Sequence, residues 1–385
     1  MLIAGEPSGD LLAAELVRAL KTRSPDLECF GAGGPNMEAA GVELAFDMTR
    51  HAVIGLWEVI GKYFEFRRSM NELLRLAVEL RPDVIVCVDF GGFNSRFAGA
   101  LRDYERHFLS HLSWKPGLVQ FVSPQVWASR PGRADDLARN FDQLLCILPF
   151  EKAWWAKRVP GFPVEFVGHP IVGRHAAMEV DEVVASVDSG RPVVALMPGS
   201  RGGELRKHLP VIADAARRIA MAEDVEFRLL LSNAGHRVVA ERAVGEIPNC
   251  EIQIGDAGRL LRSATVALSK TGTITLECAL HGLPTVTFYK TSPLTYFIGK
   301  RVVTVPFLTM PNLLAEEAVF PEFVQDEASP ANLAAAVVEL LRDTARREAV
   351  RRKLTKLTKS LGGPGAADRA AEAVLKLIGE TAAKD

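Results

Sequence analysis

Short apolar runs alternate along this chain with stretches in which apolar residues recur every three or four positions. The opening run MLIA leads through a small polar turn, Gly5 to Asp10, into LLAAELVRALK, where Leu12, Leu16, Ala19 and Leu20 share one helical spacing. Residues 84–89, 118–122 and 144–148 are almost continuously apolar, the character of strands buried on both faces of a parallel sheet. Near residue 190 the alternation restarts, with runs at 193–197, 227–231, 265–268 and 285–289. Between the two series, GHPIVGRHAAMEVDEVVASVDSGRP (168–192) ends in Gly190 and Pro192 and reads as a linker. SLGGPG (360–365) breaks the last helical region, and a final helix is expected after it, to about Ile378. The pattern predicts an α/β protein of two doubly wound, Rossmann-like domains, over 1–175 and 190–360, facing one another across a cleft.

Composition narrows the class. A chain of 385 residues, 48% hydrophobic and 24% charged, is globular and long enough for two cores. Its formal net charge of −1 offers no general attraction to nucleic acid, and no such partner is expected. Five scattered cysteines, none in a Cys-x-x-Cys pair, argue against a disulfide framework and a zinc site and for a reducing cytoplasm. No basic region leads into an apolar stretch at the N-terminus, and no run of about 18 apolar residues occurs. Neither a signal peptide nor a membrane span is therefore expected. His107 and His111 have the i, i+4 spacing of a helical metal pair, but no third ligand stands near them in sequence, and no metal is expected.

Ligands of open parallel sheets sit beyond the carboxyl ends of the strands. The opening turn GEPSGD is one such place, yet its glycines do not spell G-x-G-x-x-G, and Glu6 and Asp10 would repel a phosphate. In VDFGGFN, Asp89 ends a strand beside Gly91 and Gly92; it reads equally as a base for a substrate hydroxyl or as a cap for the next helix. In LMPGSRGGELRKHL, a strand ends at Met197 and a helix with Leu205, Leu209 and Ile212 on one face begins. Backbone N–H groups around Gly199 and Ser200, with Arg201 beside them, suit a diphosphate, although the spacing is not that of a Walker A loop. LSKTGTITLECALHGLPTV offers a second turn of this kind at Thr271, Gly272 and Thr273. There Glu277 is placed to accept hydrogen bonds from ribose hydroxyls or to close a capping box.

Taken together, these turns resemble the lipid-A-disaccharide synthases, a glycosyltransferase family with two Rossmann-like domains in the GT-B-type arrangement. The matching stretches run in family order: GEPSGD, GGPNMEAAG, VIGLWEVI, RPDVIVCVDFGGFN, VSPQVWAS, LCILPFEKA, FVGHP, MPGSRGGEL, TGTITLECAL, SPLTYFIGKR and PNLLA. The resemblance implies inverting transfer from UDP-2,3-diacylglucosamine to 2,3-diacylglucosamine 1-phosphate (lipid X). The product is a β(1→6) disaccharide 1-phosphate, and UDP leaves. It implies Asp89 as the base, Asn312 and Gln325 beside the nucleotide-sugar turns, and Glu6, Ser8, Gly9, Asp10 and Asn94 on the acceptor side. It implies no cofactor, a final helix (365–385) crossing back to the first domain, and room for a homodimer. The chain departs from the family pattern at Gly92, Ser129, Gly173 and Lys290. Other readings of the same architecture are another UDP-sugar transferase, an epimerase, or an inactive nucleotide-sugar-binding relative.

Lipid substrates require a route to a bilayer. At 100° per residue, the apolar side chains of residues 53–66, among them Trp57, Ile60 and Phe64, spread over roughly 240° of a helix, where a core-facing stripe needs about 100°. Arg67 and Arg68 follow. That excess suits insertion at an anionic inner-membrane surface, as a cytoplasmic protein peripherally bound there, or else a helix packed on two sides. The basic run of residues 345–360 is either a second contact with anionic lipid or a solvated helix face.

Overall fold

The computed structural model describes residues 1–49, 59–108, 114–181 and 190–382. The chain forms two compact units: Met1–Gly173 together with Leu361–Asp385, and Arg174–Ser360. Each is built on one parallel sheet, so the α/β class expected from the alternation is present.

Among the described residues, the first sheet has seven strands: β1 (Leu2–Ala4), β2 (Phe30–Gly33), β3 (Glu43–Asp47), β4 (Val84–Val88), β5 (Gly117–Phe121), β6 (Gln143–Cys146) and β7 (Val164–Phe166). They lie in the order β3-β2-β1-β4-β5-β6-β7. Successive side chains of β4 leave on opposite faces. Val86 and Val88 join Leu16, Leu20 and Val374 on one side, while Ile85 and Cys87 join Leu73, Phe97 and Trp155 on the other. This is why the run is apolar at every position rather than at alternate ones. The helix Ala366–Ala382 packs beside the helix Pro7–Arg23 in this unit. Arg369 anchors its start, with Nε donating to Val167 O at 2.7 Å and Nη2 to Gly363 O at 2.8 Å.

The second sheet has six described strands: β8 (Val193–Met197), β9 (Glu226–Leu231), β10 (Cys250–Ile254), β11 (Val266–Lys270), β12 (Thr285–Tyr289) and β13 (Glu322–Val324). Their order is β10-β9-β8-β11-β12-β13. Val194 and Leu196 pack with Ile212, Phe227 and Val337, and Ala195 and Met197 with Leu260, Cys278 and Leu354.

Two readings sharpen: the units divide at Gly173/Arg174, inside the stretch read as a linker, and the basic run takes the second of its two readings, a solvated helix face. The stretch read as a linker is helical over Pro170–Asp181. Its proline occupies the first helical position, where a missing N–H costs nothing, and Gly173 is the only glycine that follows. The basic run forms the helix Thr344–Ser360, which buries Leu354 and Leu357. Its cations meet acids of the protein: Lys353 pairs with Glu317 and Arg351 with Glu348, both at 2.6 Å, and Arg346 pairs with Glu339. A lipid-facing role for that run is thus weakened by its own partners.

The helix expected from residue 53 is described from Val59 to Leu80. Trp57 and the side chains of Ile60 and Phe64 lie outside the described residues, as does His111. No helix among the described residues is long and apolar enough to cross a membrane.

Candidate active site

In the first unit the chain runs outward from β1 to β2 and β3 on one side, then resumes at β4 on the other. The crevice beyond the carboxyl ends of β1 and β4 is therefore a topological switch point, where open α/β sheets place ligands. The opening turn and Asp89 both stand there. After Val88 the backbone takes the left-handed region twice in succession, at Asp89 (φ 52) and Phe90 (φ 39). For residues with a Cβ this costs roughly 1–2 kcal/mol each, and such strain concentrates at functional sites. The surroundings hold it in place. Asp89 N donates to Phe121 O at 2.8 Å, and Asp89 O accepts from Asn94 Nδ2 at 2.7 Å and Gln120 Nε2 at 2.9 Å. The result aims the carboxylate at the opening turn, where Ser8 Oγ donates to Asp89 Oδ2 at 3.2 Å.

The glycines of that turn now have a reason unrelated to phosphate. A Cβ at Gly5 would lie 2.3 Å from the Phe90 ring, and one at Gly9 would lie 3.3 Å from Val88 O. Both positions let the Asp89 loop approach the backbone. Glu6, half-buried, stands at the N-cap of the helix Pro7–Arg23.

Two acceptor-side expectations are reassigned. Asp10 is 1% exposed, and its carboxylate accepts four hydrogen bonds from its own unit: Gly34 N (2.8 Å) and Met37 N (3.0 Å) on Oδ1, Asn36 N (3.0 Å) and Asn36 Nδ2 (2.8 Å) on Oδ2. It is a brace that caps the helix Pro35–Ala39 from a distance, with no lone pair left for a sugar. Asn94 is fully buried and supports the backbone of Asp89 rather than facing solvent.

Glu151 was not singled out by the sequence. It is buried, and its carboxyl accepts from Trp127 Nε1 and Leu148 N, both at 3.0 Å. Burial outweighs these donors and pushes its pKa up to about 7. Through Trp127 it steadies the segment after β5, whose Pro124 lies 2.8 Å from where a Cβ of Gly91 would be.

In the second unit the switch point falls between β8 and β11. A cavity of about 460 Å³ opens there, with Gly199, Ser200, Arg201, Lys270, Gly272, Thr273 and Glu277 on its walls. Gly199 (φ 112) turns the chain sharply after β8, and Arg201 is the N-cap of the helix Gly202–Ala222. The positive end of a 21-residue helix faces the cavity beside the Arg201 and Lys270 side chains. Lys270 Nζ donates to Glu204 Oε1 at 3.1 Å. Burial alone would raise the Glu204 pKa; Lys270 and Arg201 overcome it and hold the carboxyl below its usual range. Glu277 is pushed upward by burial, against the opposing pull of Arg174. Thr273 makes no side-chain cap, so the capping-box reading fails and Glu277 faces the cavity instead. Two cations, a helix start and three carboxylates (Glu204, Asp256 and Glu277) thus line one cavity, with Glu204 tied to Lys270, an arrangement suited to a nucleoside diphosphate whose ribose hydroxyls need acceptors.

Thr271 is off the cavity wall, its N–H donating to Phe288 O at 2.9 Å. Asn312 is fully buried, and the protein partners both ends of its amide. It donates to Phe320 O (2.7 Å) and Glu322 Oε1 (2.8 Å) and accepts from Phe320 N (2.8 Å). It braces the chain and is reassigned from nucleotide contact. Gln325 pairs through its amide with both backbone groups of Thr291, at 2.8 and 3.3 Å, joining the ends of β12 and β13. His208, also missed, reaches Pro198 O at 2.7 Å and Lys290 O at 3.1 Å and so ties the turn after β8 to the turn after β12. Its signal in the sequence was one helical turn of spacing from Glu204. Among the described residues no group of His, Cys, Asp or Glu is arranged to hold a metal ion.

Comparison with known proteins adds independent findings. The family described as lipid-A-disaccharide synthetase matches residues 1–377. A lipid-A-disaccharide synthase of Geobacter sulfurreducens is 37% identical over 388 residues, covering 99% of this chain and 97% of its own length. One of Pseudomonas putida, strain GB-1, is also 37% identical, covering 98% and 97%. Solved structures with the same fold include a UDP-GlcNAc 2-epimerase from Neisseria meningitidis bound to UDP-GlcNAc (TM-score 0.62, 12% identity, 97% of this chain and 98% of that one). A calicheamicin glycosyltransferase is another (TM-score 0.61, 18% identity, 98% and 96%). At such identities the likeness concerns the GT-B fold alone.

Proposed function

The chain belongs to the lipid-A-disaccharide synthetase family, a family of glycosyltransferases, and from that premise we propose that it makes the lipid A disaccharide from two lipid monosaccharides. The donor is UDP-2,3-diacylglucosamine and the acceptor is 2,3-diacylglucosamine 1-phosphate. The observation that carries this reading is the Arg201–Lys270 cavity at the switch point of the second sheet. Asp89 accepts the proton of the acceptor's 6-hydroxyl as that oxygen attacks the anomeric carbon. The bond from carbon to the UDP oxygen breaks on the opposite face, and the anomeric configuration inverts. Arg201, Lys270 and the helix that starts at Gly202 take up the charge of the departing diphosphate. Glu277 accepts from the ribose hydroxyls. Ser8 orients the Asp89 carboxylate, and the left-handed backbone at 89–90 keeps it aimed without a search. The protein works from the cytoplasmic surface of the inner membrane, where both lipids reside.

The test is direct. Incubating the purified chain with the two lipids in detergent should release one UDP per disaccharide formed. UDP release without disaccharide, or neither, would overturn the reading; an epimerase of this fold would convert the UDP-sugar without an acceptor.

A further inference from the structure

The helix Pro293–Val302 follows the carboxyl end of β12, so it stands on the same edge of the second sheet as the Arg201–Lys270 cavity. Ser292 caps it, its Oγ accepting from Thr295 N at 3.1 Å, and proline occupies the first turn. A well-started helix of this kind normally turns its apolar side chains inward. Here Leu294 is 70% exposed and Phe297 57% exposed, three positions apart and therefore on one face. Val303 and Leu308 add exposed apolar surface just beyond the helix. Single exposed apolar residues need no explanation, but a cluster does.

The charges around the cluster indicate what covers it. Lys300 and Arg301 occupy the last turn and are exposed. The Arg301 guanidinium sits 3.5 Å from the Phe297 ring centroid and donates to Phe297 O at 3.1 Å, so the cation is held at the border of the apolar patch. An open groove of about 710 Å³ runs beside it, lined by Tyr296, Phe297, Lys300 and Arg301, with Asp326 the single acid among its walls. Exposed aromatic and aliphatic side chains bordered by cations match the boundary between acyl chains and anionic headgroups.

We propose that the face of this helix bearing Leu294, Phe297, Lys300 and Arg301 docks on an anionic phospholipid surface. The inference rests on the reading of the substrates as membrane lipids and deepens it. Leu294 and Phe297 enter the acyl boundary, Lys300 and Arg301 engage phosphates, and the donor cavity on the same sheet edge is brought to the lipid.

The experiment is sedimentation of the full chain with vesicles of phosphatidylglycerol mixed with phosphatidylcholine, and with phosphatidylcholine alone. Wild type should partition onto the mixed vesicles. Leu294→Ser with Phe297→Ser should lower that partition about tenfold or more. Lys300→Gln with Arg301→Gln should lower it by a similar factor and abolish the preference for the anionic lipid. Both variants should melt with wild type and keep full turnover on detergent-dispersed substrates. The proposal is overturned if wild type ignores anionic vesicles, if both variants sediment like wild type, or if the apolar pair melts far lower, which would place it in a packed interface. A change in oligomeric state with unchanged vesicle binding would instead assign the face to a second copy of the chain. Absence of UDP release by wild type in detergent would defeat the proposed reaction alone, leaving the vesicle result to decide the docking.

Discussion

Replacing Asp10 with asparagine separates a structural role from a substrate role more cleanly than any other single change. The carboxylate is 1% exposed and receives two donors on each oxygen. Hydrogen bonds to a charged acceptor contribute about 1.5–3 kcal/mol each. Asparagine keeps one oxygen, so whichever way its amide turns, its NH2 group meets two donors that it cannot accept. Two contacts are lost and two lose their charge, a cost of about 3–6 kcal/mol. For a unit of this size that corresponds to a fall in Tm on the order of 10 °C. Calorimetric melting reads it, with UDP binding as the check that the second unit is intact. Gly34→Ala should act in the same direction, because its Cβ would lie 2.9 Å from Asp10 Oδ2 and 2.7 Å from Thr49 Cγ2. If Asp10→Asn melts with wild type and only the KM for the acceptor lipid rises, the carboxylate binds substrate and the brace assignment is wrong.

Asp89→Asn should lower kcat by about 10²–10⁴-fold with UDP binding and Tm preserved, since the amide cannot take the acceptor's proton; unchanged turnover would remove Asp89 as the base. Arg201→Ala and Lys270→Ala should each weaken UDP binding about tenfold or more in titration calorimetry, the loss of one charged hydrogen bond to a diphosphate; wild-type affinity in both would empty the cavity of its assigned ligand. Burial raises the Glu151 pKa from 4.5 to about 7, so the folded protein holds that proton to higher pH than the unfolded chain. The associated stability is whole below pH 4.5 and is lost as pH rises through about 7, a change of about 3 kcal/mol. Urea unfolding of Glu151→Gln across that window should show the dependence flattened, and an unaltered slope would contradict the assignment.

Much of this site could be seen in the chain as loops, and much less as contacts. The turns after residues 197 and 270 were legible because a strand, a small-residue turn and an amphipathic helix are local patterns. Lys270 escaped notice because it closes its strand and gains meaning from Glu204, a partner 66 positions away in sequence. Asp10 and Asn312 were drawn toward ligands by resemblance, whereas the fold surrounds each with its own donors and acceptors. Polarity in a turn says that a group needs partners, not whether protein or substrate supplies them.

What the sequence determined alone was the succession of elements and the class they build. The observed strands Val193–Met197 and Thr285–Tyr289 coincide with the expected runs: the first is apolar at every position because helices cover both faces, and the second buries Thr285 and Thr287 with their hydroxyls donating to Leu283 O and Pro321 O. Helical periodicity likewise marked Pro7–Arg23 and Gly202–Ala222. Tertiary structure decided the rest. It put a helix over Pro170–Asp181 where the two units divide, and forced two left-handed residues at Asp89 and Phe90. Those outcomes depend on partners far along the chain, such as Gln120 and Phe121 beneath Asp89, and on glycines whose missing Cβ admits a neighbouring loop. Periodicity reports which face of an element is buried; only packing reports what it is buried against.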